Sequence, residues 1–203
     1  MNYLAHARLS FGQPGLLVGN MISDFVKGRK KFDYPPAIQQ GITLHRIIDT
    51  YTDNHPATAM AKEFFRPHYR LYSGAFIDVV YDHFLATDPG EFSDESLFQF
   101  SNEVYVVLES YSQWLPPGFA GMFPYMKQQN WLYNYRTLKG IDGSMSGLVR
   151  RALYMDESNT ASHIFREYYQ PLHDCFRQFW ASARPFIHNQ YQLLVEKEAD
   201  KGF

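Results

Sequence analysis

Alternation of apolar and polar residues never persists along this chain, whereas apolar spacings of three and four recur between glycine and proline breaks. That period predicts an all-α fold, a single compact multi-helix domain over residues 1–203. Helices are expected at about 15–27, 36–53, 56–71, 73–87, 93–113, 125–138, 143–156 and 160–198. The last is expected to break at Pro171 and Pro185, because proline removes a backbone donor. Trp114 to Pro124 holds Pro116, Pro117, Gly118, Gly121 and Pro124, and is expected as an irregular connection between two helical groups. Trp114, Leu115, Phe119, Met122 and Phe123 are poorly suited to open water, so it should lie against the protein.

Composition narrows the function classes. Apolar residues make up 45% and charged residues 20%, enough to bury a sizeable core and too apolar for disorder. Lys plus Arg number 19 against 21 Asp plus Glu, which argues against a general nucleic-acid binder. The single cysteine, Cys175, permits no internal disulfide and reads as a core residue. His6, Arg8 and Pro14 interrupt the stretch where a signal peptide needs apolar residues, and no apolar run approaches the ~18 residues of a membrane span. A cytoplasmic chain with no membrane attachment is expected.

Several polar residues fall on faces that should be apolar. On the helix from Pro36, an advance of about 100° per residue puts His45 and Asp49 inside the arc of Ile38, Ile42, Leu44, Ile48 and Tyr51. An i, i+4 His/Asp pair thus points into the protein, and a carboxylate there needs a cation, a hydrogen-bond network or a metal. The helix around Phe76 to Leu85 is apolar on nearly every face yet carries Asp78 and Asp82 four residues apart. Two carboxylates on one buried face repel unless a cation separates them or one is protonated. Asp24 follows Leu17 and Asn20 along a third helix. His6, Asp24, His45, Asp49, Asp53, His55, Asp78, Asp82 and His83 therefore supply imidazole and carboxylate from separate helices, which is how helical bundles assemble metal sites. With no thiolate, Mn, Fe, Mg or Zn fits, and a carboxylate-rich set favours Mn or Mg. The structural alternatives are an Asp49 or Asp24 paired with Arg46 or capping a helix, a His55 that starts a helix before Pro56, and an Asp53 at the edge of its face.

These segments resemble the acyl carrier protein phosphodiesterases, also called acyl carrier protein hydrolases. The likeness lies in MNYLAHARLS at the start, VGNMISDFVKG at 18–28, GITLHRIIDTYTDNHP at 41–56 and FIDVVYDHFLA at 76–86, with a weaker echo in NWLYNYRTLKGI at 130–141. The resemblance implies an enzyme that hydrolyses the phosphodiester between 4′-phosphopantetheine and a serine of holo acyl carrier protein. It also implies a helical fold similar to the histidine-aspartate metal phosphohydrolases and a divalent metal, typically manganese. The adjacent His-Asp pair usual on a central helix of those enzymes appears here reversed, as Asp82-His83. A literal His173-Asp174 also occurs, but Leu172, Phe176, Phe179 and Trp180 mark the buried side of its helix and turn Asp174 to water.

On this basis Asp24, His45, Asp78 and Asp82 are the expected ligands of Mn2+, or of Mg2+ or another divalent ion, with Asp49 next and His6 a further candidate. The bound ion would supply a hydroxide that attacks phosphorus, and His83, His45 or Asp49 would protonate the departing serine oxygen. Arg46 and Asp53 are lesser site candidates. Carrier proteins are acidic, and Lys27, Arg29, Lys30 and Lys31 form the densest basic cluster, placed to dock one; the alternative is a helix C-terminus complemented by cations. Tyr51, Tyr72, Tyr81 and Phe84 read first as core and otherwise as a channel for the pantetheine arm. Two other readings are a metal phosphohydrolase of small phosphate esters and a non-enzymatic helical protein that binds an acidic partner.

Overall fold

The computed structural model describes residues 1–152 and 158–199, and the described residues form eleven α-helices and four short 3-10 turns with no strand. The all-α expectation holds. The helices are α1 (Tyr3–Arg8), α2 (Pro14–Ile22), α3 (Pro36–Asn54), α4 (Pro56–Tyr69), α5 (Ser73–Thr87), α6 (Asp94–Ser110), α7 (Pro117–Gln128), α8 (Trp131–Asn134), α9 (Leu138–Arg151), α10 (Asn159–Glu167) and α11 (Tyr169–Ala199). Among these helices none is long and apolar enough to cross a membrane.

Local chemistry sets the helix starts. Pro14, Pro36, Pro56 and Pro117 each occupy the first helical position, where the missing N–H would have been unpaired anyway. His55 caps α4, its Nδ1 accepting from the Ala57 amide at 3.2 Å, which is the helix-start role open to it from sequence. Helix α5 lies at the centre, with Phe76, Ile77, Val80, Tyr81, Phe84 and Leu85 fully buried, and one continuous core joins it to the other helices. Tyr81 and Phe84 thus serve the core, as does Cys175.

Three expectations are corrected. The expected helix 15–27 ends at Ile22 and passes into a 3-10 turn, Ser23–Phe25, then a second, Gly28–Asp33. Residues 117–124 are not an irregular connection but most of α7, because Pro116 and Pro117 stand at its start and Phe119, Phe123 and Met126 recur at helical spacing on its buried face. Trp114, Leu115 and Met122 do pack against the core. Pro171 lies in the first turn of α11, where it starts a helix rather than breaking one, and α11 runs through Pro185 on its exposed face. The break falls instead at Tyr168. A short α1 precedes the first expected helix, and the part of the expected helix 143–156 beyond residue 152 lies outside the described residues.

Candidate functional site

The site is built where α2 and α3 touch backbone to backbone. A Cβ on Gly19 would lie 2.0 Å from the Ile38 carbonyl oxygen, and one on Gly41 would lie 2.1 Å from that of Leu16, so only glycine allows this approach. Asn20 follows the first glycine and His45 stands one turn beyond the second. The crossing therefore brings the Asn20 backbone carbonyl within 2.8 Å of His45 Nδ1.

Asn20 also orients a second imidazole. Its Nδ2 donates to the His6 carbonyl at 2.8 Å and to Ser10 Oγ at 3.1 Å, which fixes the amide and leaves Oδ1 to accept from His6 Nδ1 at 2.8 Å. Both histidines are thus tethered through Nδ1, and both turn Nε2 toward Asp49. His6 Nε2 lies 3.2 Å from Asp49 Oδ1, and His45 Nε2 lies 3.0 Å from Asp49 Oδ2 and 3.1 Å from Asp24 Oδ1. The rings stack with centroids 4.0 Å apart.

The electrostatics of the two rings differ. Burial and the neighbouring His45 charge hold His6 below the usual imidazole range, Asp49 only partly offsetting them, so His6 is neutral near pH 7. For His45 burial also opposes the charge, but the hydrogen bonds it donates to Asp24 and Asp49 outweigh it and lift the ring to about 9. Asp49 is driven well below the ordinary carboxylate range, its burial overcome by the hydrogen bond it accepts from His45 and by the Met1 ammonium, and Asp24 is lowered chiefly by its bond to His45. A neutral His6 carries its one proton on Nδ1, so the bare Nε2 faces two oxygen acceptors, Asp49 Oδ1 and the Met1 carbonyl at 3.1 Å. One ligand atom each from His6, His45 and Asp49 lie within 4.8 Å of one another. Imidazole Nε2 atoms whose Nδ1–H groups are held by carbonyl oxygens, beside carboxylates and without thiolate, form a donor set suited to a divalent ion. The histidines are buried while the Asp24 and Asp49 side chains are 72% and 39% exposed, so the cluster opens to solvent on its carboxylate side.

The other sequence candidates divide. Asp78 Oδ1 lies 3.0 Å from the Met1 α-ammonium, which is also 3.6 Å from Asp49 Oδ1. Burial opposes that ammonium, but Asp78 and Asp49 raise it to about 10, so a cation lies between Asp78 and Asp49. Asp82, expected as a ligand, is not brought to the cluster of His6, His45 and Asp49. It is fully buried and accepts from the Leu4 and Ala5 amides at 2.7 and 3.2 Å, holding the first turn of α1 in place. His83, expected as a general acid, has its partners outside the cluster: its Nδ1 donates to the Tyr135 carbonyl at 2.7 Å and its Nε2 lies 3.0 Å from the Tyr169 hydroxyl. Arg46 donates to the Val26 carbonyl at 3.1 Å and Asp53 pairs with Lys62 at 2.8 Å, so neither joins the cluster. Asp174 is exposed, as its helical position required.

Lys27, Arg29 and Lys30 are exposed, while Lys31 is half-buried over the Phe32 ring. They lie past the end of α2, Lys27 as an extended residue and the others in the 3-10 turn Gly28–Asp33, whose last turn carries Lys30 and Lys31. Arg46 pins the backbone one residue before Lys27. The residue that sequence reasoning left out of the site is Asn20. Its signal was a wholly buried amide in the otherwise apolar run Pro14–Ile22.

Over residues 1–183 the chain matches the family described as acyl carrier protein phosphodiesterase. It is similar to proteins of that name from Salmonella paratyphi A, Salmonella agona (strain SL483) and Salmonella enteritidis PT4, each 32% identical over 181 residues, 89% of this chain and 94% of the relative. No solved structure matches it.

Proposed function

The chain belongs to the acyl carrier protein phosphodiesterase family, and from that premise we propose that it hydrolyses the phosphodiester joining 4′-phosphopantetheine to a serine of holo acyl carrier protein. The products are apo carrier protein and free 4′-phosphopantetheine, one water being added across the phosphorus to serine-oxygen bond, hydroxyl to phosphorus and proton to the serine. The observation that carries the reading is the convergence of His6 Nε2 and His45 Nε2 on Asp49, with both rings tethered through Nδ1 to Asn20.

His6, His45 and Asp49 would hold a divalent ion, most simply Mn2+, with Asp24 at the open edge. Such an ion supplies Lewis-acid polarisation of the phosphoryl group and a more acidic water. Asn20 accepts from both rings at Nδ1, so Nε2 is the nitrogen that each turns toward the cluster. Asp24 bonds His45 through Oδ1 and leaves its second oxygen at the solvent edge, where it can orient the attacking water and take its proton. The Met1 ammonium offsets the charge of Asp78 and Asp49, so the carboxylates do not repel the incoming phosphodiester as strongly as their number suggests. Lys27, Arg29 and Lys30, exposed a few residues after Asp24, present positive charge to an acidic carrier protein beside the cluster.

The experiment is a mass measurement. Purified protein is incubated with holo acyl carrier protein with Mn2+ added or with chelator present, and the carrier protein is weighed afterwards. Loss of the phosphopantetheine mass in the metal arm alone is the expected result. No loss with any divalent metal overturns the reading and turns attention to small phosphodiesters, and equal loss in both arms removes the metal from it.

A further inference from the structure

Next to Met1, the residues Asn2 and Tyr3 form one wall of a cavity of about 850 Å³ whose other walls come from α7, α8 and α9. The volume is in the range of small-molecule sites, and the lining mixes polar and aromatic groups. Its floor is the face of α9 that carries Gly140, Gly143, Ser144 and Gly147 at helical spacing, with Lys139 and Arg150 exposed at the rim.

The glycines of that floor are not alike. A Cβ on Gly140 would lie 1.9 Å from the Asn134 carbonyl oxygen, so packing of α8 on α9 requires it. A Cβ on Gly143 would meet nothing within 4 Å among the described residues, and one on Gly147 would meet only Arg150 Nη2 at 3.7 Å. Neither has a positive φ. A glycine inside a helix weakens it relative to alanine, through the backbone freedom lost on folding. Gly143 thus accepts that cost with no neighbour among the described residues to demand it. What the bare face preserves is the space above it.

We propose that this cavity receives the pantetheine arm of the carrier protein's prosthetic group, an inference that rests on the activity proposed above. The arm is a chain of amides with apolar carbon between them. Asn2, Asn134 and Ser144 offer amide and hydroxyl partners, Trp131 and Tyr135 offer flat apolar walls, and the uncovered α9 backbone lets an extended chain lie close. The placement agrees. Contacts run in order from Asp24 through His45, Asp49 and Met1 to Asp78, with the basic segment following Asp24 and the cavity beginning at Asn2, next to Met1. A phosphodiester at the cluster would have its serine side toward Lys27 to Lys30 and its pantetheine side over α9.

The test uses the full chain and pantetheine, which lacks the phosphate and so reports on the cavity apart from the cluster. In the wild-type protein, pantetheine should slow hydrogen exchange of amides in α9 and at Trp131 to Tyr135. Gly143→Leu, which adds a better helix former and fills the space, should weaken pantetheine binding at least tenfold and raise KM for holo carrier protein at least tenfold, with helix content unchanged. Gly121→Leu on α7, where a Cβ also meets nothing within 4 Å and which is not among the residues that line this cavity, should leave both values as they were. Absence of protection on α9, or a Gly143→Leu protein with wild-type binding and KM, overturns the inference while the hydrolytic activity stands. Protection of α9 in a chain that hydrolyses no carrier protein would instead leave the cavity assigned and overturn the activity.

Discussion

The imidazole rings of His6 and His45 lie stacked, 14° from parallel and 4.0 Å apart, although one comes from α1 and the other from α3. Asn20 on α2 holds both, through its side chain for His6 and its backbone carbonyl for His45. The stack is therefore as rigid as the α2–α3 contact beneath it.

Replacing Asn20 by alanine should separate the two imidazoles without touching any metal-facing atom. The His6 Nδ1–H loses its acceptor, a loss of about 1–3 kcal/mol for a buried donor. Loss of an outer partner of this kind lowers metal affinity by about 10–100-fold. Manganese titration of Asn20→Ala should show that drop, whereas Ser10→Ala, which leaves Asn20 bonded to the His6 carbonyl, should stay within about threefold of wild type. Unchanged affinity in Asn20→Ala would mean that the imidazoles are held by packing alone.

Gly41→Ala places a carbon 2.1 Å from the Leu16 carbonyl oxygen. A backbone contact cannot yield as a side-chain tip does, so α2 and α3 must part. Overpacking costs about 1–3 kcal/mol, which for a chain of this size lowers Tm by about 3–10 °C. Activity should fall further than stability, since the same shift draws the Asn20 carbonyl from His45. Thermal melts of Gly41→Ala beside Gly121→Ala, where nothing lies within 4 Å, make the comparison. Equal melting temperatures would show that the crossing tolerates a methyl group.

How much of this was legible before the structure depends on the kind of contact. Helical period and proline position are local, so α3 and α5 lie where the spacing of Ile38, Ile42 and Ile48 and of Phe76, Val80 and Phe84 put them. The inward turn of His45 and Asp49 was legible for the same reason. The wheel could not say that Asp82 would meet the amides of Leu4 and Ala5, because that bond spans most of the first half of the chain. From sequence, a carboxylate that caps a distant helix and one that binds a metal look identical. Residues 114–124 misled because three prolines and two glycines read as punctuation, whereas two of the prolines stand where a helix starts.

Asp82 gives a prediction in pH. Burial lifts its carboxyl to about 7 against a usual value near 3.8, with the Leu4 and Ala5 amides opposing. A group raised on folding contributes stability that is full below its unfolded value and is lost as pH rises through its folded value, so its contribution declines from about pH 4 to pH 7. At about 1.36 kcal/mol per unit the limit is roughly 4 kcal/mol. Asp82→Asn cannot titrate. The stability advantage of wild type over this variant should therefore shrink as pH is raised from 5 to 8, read from denaturant melts at each pH. An advantage that is constant or grows would show that the α1 amides and the Met1 ammonium keep the carboxylate ionised throughout.

The basic segment is testable through salt. Lys27, Arg29 and Lys30 are exposed, so their attraction for an acidic carrier protein acts through water and weakens as the screening length falls from about 10 Å at 0.1 M to about 3 Å at 1 M salt. Rim charges of this kind act mainly on association. Reversing Lys27, Arg29 and Lys30 to Glu should raise KM for holo carrier protein at least tenfold at low salt and leave kcat within about twofold. The stronger mark is in the salt dependence: added salt should raise KM for wild type and lower or flatten it for the reversed protein, because attraction has become repulsion. Steady-state kinetics at four salt concentrations give both slopes. Parallel slopes would place the carrier protein on another face, and the contact of the Arg46 guanidinium with Val26 would then serve only to hold the turn.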